Sequence, residues 1–558
     1  MHLAPRSAAL ILALAVPAFA AGVRPKPPAA PPAFGERIDV RAVNVEAVVT
    51  DRSGNRVQGL TVADFRLQVD GRDVPIDFFA EIREGQSGAP GNGTPAPPAA
   101  AGSGAVGTNY LVFLDDSFSL APQRNVVLDK LMGDLSLLGP EDRMAILAFD
   151  GRKLDLLSTW SGETAALTEA IQRAKARPTL GLSAMDARRS FGDDQELRDQ
   201  AMDDTLHPSF AGHGSDQDAA GAAAGDMMSR GTTLLSIASV GHKSAPGRCN
   251  EYFPISPKQC AELQEAINAA AGALRGLPTP GGRKVALLLS GGWPFGAGPH
   301  LFKPLLDTAN QLGYTLYPVD VPGIPVEGAS SGIFGSWERE SKDGLEYVAA
   351  ATGGKAFLNS ARLDSLKRAA ADTRSYYWLG FSPVWRANDK GHQVKLTVKR
   401  PGLTVRSRNG FTDLAPKTEG AMRAESALLL SPAAEDRRLR IEVGAGKRRG
   451  AVMEVAITVA VPVSVLSLSP EGKGYLAEAT LALAVQDEDG GRAALSNIPL
   501  RLKLPAAPEP GSYARYQTHI KVRRVNQTVV ALLHDEESGA TLWDEKEIGE
   551  SVLTAAGK

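Results

Sequence analysis

With 558 residues, 43% of them hydrophobic, the chain can bury several cores, and its length points to about three or four domains. A formal charge of −2 and a pI near 6.5, with no dense Lys/Arg stripe, leave nucleic acid without an electrostatic footprint to meet. The two cysteines form no C-x-x-C pair, which argues against redox or zinc chemistry.

In chain order, Arg6 precedes an apolar run from Ala8 to Val16, followed by Pro17 and the small-x-small triplet Ala18-Phe19-Ala20. Residues 1–20 therefore read as a signal peptide. The run is short for a bilayer span and no cysteine stands at the cleavage point to carry a lipid, so the expectation is a soluble exported protein, periplasmic or secreted. Residues 21–37 form a Pro/Ala-rich linker. Residues 38–84 read as a small β module, in which Val43, Val45 and Ala47 alternate with Asn44 and Glu46. Residues 85–108 form a Gly/Pro/Ala linker that cannot bury a core.

Asn109 to Leu114 is an apolar strand ending in Asp115-Asp116-Ser117-Phe118-Ser119. A D-x-S-x-S loop sets three hard oxygen ligands on one side of a turn, a donor set suited to magnesium or manganese, although a plain strand-to-helix loop uses the same residue types. Downstream, helical spacing over Val126 to Leu138 is followed by a strand from Arg143 to Phe149 and a helix from Glu163 to Ala176. Residues 187–229 are rich in Asp, Ala and Gly and read as an inserted acidic lobe. Cys249 and Cys260 flank a short loop and in an oxidising compartment would form a disulfide worth about 3 kcal/mol. A helix from Cys260 to Leu274, a strand from Lys284 to Leu289, a helix from Leu301 to Leu312 and a strand from Tyr314 to Val319 continue the alternation. The pattern predicts an α/β, doubly wound, Rossmann-like unit over residues 109–374 with a mostly parallel sheet. Ligands on such sheets sit at the carboxyl ends of strands, where Asp115 to Ser119 fall. Residues 376–413 are strand-like again and are expected to pair with the leader strands, leaving the α/β unit inserted in a β-sandwich. Residues 418–558 show strand alternation, as in Met453, Val455, Ile457, Val459 and Val461, and predict a C-terminal β-sandwich in a multidomain chain.

Several segments together resemble the von Willebrand factor A (VWA) domain, and more narrowly the VWA-related exported proteins of Acidobacteria. They are Asp115 to Ser119, the leader Val48-Val-Thr-Asp-Arg-Ser-Gly54 with Gly59 to Phe65, and the closing Ala351 to Phe357 and Tyr377 to Pro383. The resemblance covers residues 38–413. It implies a metal-ion-dependent adhesion site (MIDAS) in which Asp115, Ser117 and Ser119 hold Mg2+ or Mn2+ with a threonine and a second aspartate. Thr232, in Arg230-Gly231-Thr232-Thr233-Leu234, matches the threonine loop, with Thr179 as the alternative. The aspartate loop departs from the family: Leu289-Ser290-Gly291-Gly292-Trp293 has Gly291 where the family has Asp. That removes a full charge from the cation's ligand set and leaves the site incomplete. Asp116 and Asp320 are the nearby carboxylates that would have to substitute. Trp293 with Pro294 and Phe295 would give the strand-end face an apolar contact surface if exposed, or would tuck over the sheet edge.

No nucleophile elbow, Walker loop, dinucleotide fingerprint or H-E-x-x-H helix is present. The enzymatic alternative is a phosphotransferase resembling the haloacid dehalogenase group, with Asp115 as nucleophile; that group expects a second Asp where Ser117 stands. The expectation is a non-enzymatic VWA protein that mediates protein binding or adhesion. Asp115, Ser117, Ser119 and Thr232 are its metal residues, and Asp116 and Trp293 its partner-binding residues. A metal-independent envelope scaffold is the alternative.

Overall fold

The computed structural model describes residues 42–87, 105–181, 249–250, 255–321, 333–430 and 439–549, except 451, 473, 489–495, 510 and 539. Thr232, the acidic lobe and the first 41 residues lie outside them.

The leader contributes β1 (Val43–Thr50), β2 (Phe65–Val69), β3 (Arg72–Asp73), β4 (Phe78–Arg83) and β5 (Gln86–Ser87). β5 falls inside the stretch expected to be linker, as does Val106, whose N–H donates to the Gly85 carbonyl at 2.7 Å and whose side chain is buried. An apolar residue able to bridge back to the hairpin orders the end of an otherwise polar tract.

The next sheet contains β6 (Thr108–Asp115), β7 (Arg143–Phe149), β8 (Leu154–Ser161), β9 (Arg283–Ser290) and β10 (Tyr314–Asp320), in the order β10-β9-β6-β7-β8. The first four run parallel, and β8 is antiparallel to β7. β6 is buried along its whole length because both faces are covered. On one face Leu111 and Phe113 pack with Leu263 and Ile267 of α3 (Pro257–Gly276), Leu305 of α4 (Lys303–Leu312) and Val348 of α5 (Ile333–Thr352); those three follow α1 (Ala121–Gly133) and α2 (Thr164–Lys175) in the chain. On the other face Tyr110, Val112 and Leu114 meet Val127 and Leu131 of α1, Ile171 of α2 and Leu366 of α6 (Ser365–Thr373). The result is a three-layered arrangement with helices on both sides of a mixed sheet. β8 escapes the sequence reading because it is an edge strand: half-exposed, it mixes polar and apolar residues with no clean period.

β11 (Tyr376–Phe381), β12 (Lys390–Val398), β13 (Thr404–Arg406) and β14 (Gly410–Asp413) return to the leader strands. β1 lies between β11 and β13, with Val45 opposite Leu379, and β2 pairs with β12, with Leu67 opposite Leu396. Val45, Phe65, Leu67, Phe79, Tyr377 and Leu396 share the core between these sheets. Two buried ion clusters join this sandwich to the α/β layers. Arg283 of β9 pairs with Glu46 of β1 at 2.9 Å and lies 4.1 Å from the Tyr376 ring centroid. Asp372, at the end of α6, is held by Arg56 at 2.5 Å, by Arg406, by Lys355 at 3.5 Å and by the Tyr317 hydroxyl at 2.7 Å.

Residues 416–430 depart from the expected strand pattern. Pro416–Leu429 is α7, a helix that packs Leu429 against Gly272 of α3 and Ala424 against Ala482, Ala484 and Leu532 of the last sheets. Its Met, Arg, Ala, Glu and Leu content favours helix, and it wedges between two apolar faces. Beyond it β15 (Arg440–Arg449), β16 (Val452–Pro462), β17 (Ser469–Glu471), β18 (Gly474–Asp487), β19 (Ser496–Leu504), β20 (Tyr513–Val522), β21 (Gln527–Asp535) and β22 (Thr541–Ile548) form antiparallel sheets around Val455, Ile457, Leu481, Leu483 and Val529.

Cys249 and Cys260 are joined by a disulfide that ties residue 249 to the start of α3. Such a bond points to an oxidising compartment. Cys260→Ser is expected to lower stability by about 2–3 kcal/mol, read as a loss in melting temperature that reductant reproduces in the parent. No helix of the described residues is long and apolar enough to cross a membrane.

Candidate functional site

β6 ends in the middle of its sheet, between β9 and β7, so Asp115 projects where neighbouring loops converge. Its carboxylate is fully buried and surrounded by donors. Oδ1 accepts from Ser117 Oγ at 2.5 Å and from the backbone N–H groups of Ser117 and Phe118 at 3.2 and 3.3 Å. These last bonds close the turn on itself. Oδ2 accepts from Ser290 Oγ at 2.7 Å and from the Trp293 indole N–H at 2.9 Å. Burial pushes the Asp115 carboxyl up, against the pull of the Ser117, Ser290 and Trp293 hydrogen bonds.

Trp293 is completely buried. Glycines at 291 and 292 let the chain fold tightly after β9, and the indole turns inward onto Asp115. The exposed aromatic surface allowed for in the sequence is therefore absent at this position, and the loop tucks in. Asp116 is also turned away from solvent. It pairs with Arg124 Nη1 at 2.5 Å and Arg177 Nε at 2.9 Å; Arg177 reaches on to Asp155 at 2.8 Å. Burial raises its carboxyl while the Arg124 charge and the Arg177 hydrogen bond lower it. Asp116 thus fastens α1 and the end of α2 beneath the loop and presents no carboxylate to a partner.

Ser117 and Ser119 are buried as well; the Ser119 hydroxyl has no hydrogen-bond partner among the described residues. Thr179, the alternative threonine, sits at the start of α1, where its Oγ1 accepts the Ala121 N–H at 3.1 Å. Next to it, the Leu180 N–H donates to the Asp116 carbonyl at 2.8 Å, so residues 179–181 lie over the D-x-S-x-S loop. Leu180 itself is 48% exposed. Asp320 closes β10 opposite Ser290.

Position 291 has no room for a carboxylate: a Cβ there would stand 2.0 Å from the Phe118 carbonyl oxygen and 2.9 Å from that of Val321. A divalent cation needs carboxylate oxygens free to face it. Here Oδ1 and Oδ2 of Asp115 accept from protein donors, and among the described residues the hydroxyl oxygens of Ser117 and Ser119 are what remains of the MIDAS-type set. With no room for a second carboxylate at 291, the described residues by themselves do not make the ligand set that the resemblance implies; Thr232 lies outside them. The sequence reading missed Ser290 and Trp293 as donors to Asp115; the signal for them was Trp two positions after the missing aspartate.

No known family profile matches the chain, and no curated protein matches it in sequence. Among solved structures, the pilus adhesin SpaC from Lactobacillus rhamnosus GG is similar over 87% of this chain and 60% of that one, at 8% identity and a TM-score of 0.26. The SpRpn10 VWA domain is similar over 41% of this chain and 97% of that one, at 10% identity and a TM-score of 0.15. A Bacteroides uniformis beta-glucuronidase aligns with 31% of this chain at 10% identity and a TM-score of 0.14, the match spanning 19% of the enzyme.

Proposed function

We propose that residues 109–374 form a VWA-type domain whose adhesion site works without metal, in an exported, non-enzymatic protein that makes protein contacts through its strand-end face. One observation carries this reading: Trp293 donates its indole N–H to Asp115 Oδ2 at 2.9 Å, in the place where an open carboxylate would face a cation. The layered sheet with Asp115 at the end of its central strand supports the VWA assignment. The disulfide supports export. Among the described residues of the strand-end face, Leu180 is an apolar side chain exposed to a partner, and Trp293 is not.

The test is a calorimetric titration of the chain with magnesium and with manganese, beside Asp115→Asn. The expected result is no saturable heat in either protein and a variant that folds but is less stable than the parent, because whichever way the amide turns, its NH2 meets an N–H donor, the Trp293 indole or the Ser117 and Phe118 backbone. Saturable binding in the parent that the variant loses would overturn the metal-free reading.

A further inference from the structure

We propose that a groove between the end of α5 and strands β12 and β13 binds a small molecule bearing an oxyanion, a carboxylate or phosphate group, with Arg408 as the buried anchor and Lys395 as the outer clamp. The groove is open to solvent, holds about 520 Å3 and is lined by Arg408, Lys395, Lys355, Arg406, Glu346 and Ala350, among others. That volume lies within the span of about 300–1,000 Å3 usual for small-ligand sites. It does not depend on the VWA reading.

Two of the lining cations are committed elsewhere. Arg406 donates to the Gly353 carbonyl and pairs with Asp372, and Lys355 lies 3.5 Å from the same carboxylate. Arg408 is different. It is 2% exposed, its Nη1 donates to the Asn310 carbonyl at 2.8 Å, and its Nε has no partner. No ion pair compensates it among the described residues. A guanidinium keeps its proton, and the carboxylate that acts on this one, Glu46, is already paired with Arg283 at 2.9 Å, so the buried Arg408 charge is only partly offset. Its planar fork matches the two oxygens of a carboxylate or phosphate. Lys395, exposed on β12 and unpaired among the described residues, adds a second positive charge at the rim. Glu346, from α5, is the one carboxylate among the lining residues, and it leaves the groove net positive.

The experiment titrates the full chain with inorganic phosphate and, separately, with citrate, using sodium chloride at matched ionic strength as the control. The expected result is saturable heat with at least one of the two, weakened at least about tenfold in Lys395→Glu with no loss of ligand-free melting temperature. Binding of phosphate alone assigns a phosphate-type ligand, and binding of citrate alone a polycarboxylate. Arg408→Gln is expected to abolish binding. Should that variant fail to fold, Ala350→Trp, which fills the groove from an exposed helix position, is expected to do the same. No saturable heat with either anion, or binding that Lys395→Glu and Ala350→Trp leave unchanged, overturns the proposal.

Discussion

Trp293→Ala is expected to destabilise the α/β unit by about 3–5 kcal/mol, measured by urea unfolding followed by circular dichroism. Two effects add. The indole is fully buried in the cluster with Phe113, Leu263 and Phe302, so truncation opens a cavity that the surrounding helices cannot fill. The Asp115 carboxylate also loses a donor it cannot replace with water. Trp293→Phe separates the effects: it keeps most of the volume and removes the N–H, and its expected cost is about 1–3 kcal/mol. If the indole instead lay at the surface, both variants would unfold with the parent. Gly291→Asp, the change that would rebuild a family-like metal loop, is expected to fail for steric reasons, since its Cβ would meet the Phe118 carbonyl.

The second large effect lies at the junction between the α/β layers and the sandwich. Asp372→Asn is expected to cost about 3–5 kcal/mol, because Arg56, Arg406 and Lys355 then face one another without the carboxylate that separates their charges. The effect carries a pH signature. Burial works to raise the Asp372 carboxyl, but the charges of Arg406, Arg56 and Lys355 outweigh it and hold the group well below its ordinary value of 3.8. A depressed folded value means that the stabilisation is complete above the unfolded value and is lost as pH falls below about 4. The melting-temperature difference between parent and variant should therefore be flat at neutral pH and shrink in acid. Asp115 runs the other way: its raised carboxyl favours the folded state at low pH and costs stability as pH rises past the unfolded value. A parent advantage that persists unchanged into acid would contradict the role given to Asp372.

The place of the site was legible in the sequence because β6 is an unbroken apolar run, which only a strand covered on both faces can bury, and because it stops at a carboxylate followed by spaced hydroxyls. The missing aspartate at 291 was legible too. What replaces it was not. Indole is amphipathic, so composition cannot say whether Trp293 faces a partner or turns to an acceptor; the glycines before it decide, and their backbone path depends on packing against Phe118 and Val321. Asp116 shows the same gap. Arg124 sits eight residues on and is visible as a neighbour, but Arg177 is 61 residues away and reaches Asp116 only once α2 is docked. α7 was hidden behind the strand alternation that follows it, although its residues favour helix. The edge strand β8 lacks the burial that makes periodicity visible.

The most direct test of the closed site is the nuclear magnetic resonance signal of the Trp293 indole N–H, assigned by its loss in Trp293→Phe. The account predicts a resonance slow to exchange with deuterium, displaced in Asp115→Ala and unmoved by millimolar magnesium. An indole that exchanges as fast as an exposed tryptophan, or shifts saturably with magnesium, would mean that Asp115 is open to a cation and that the metal-free account is wrong.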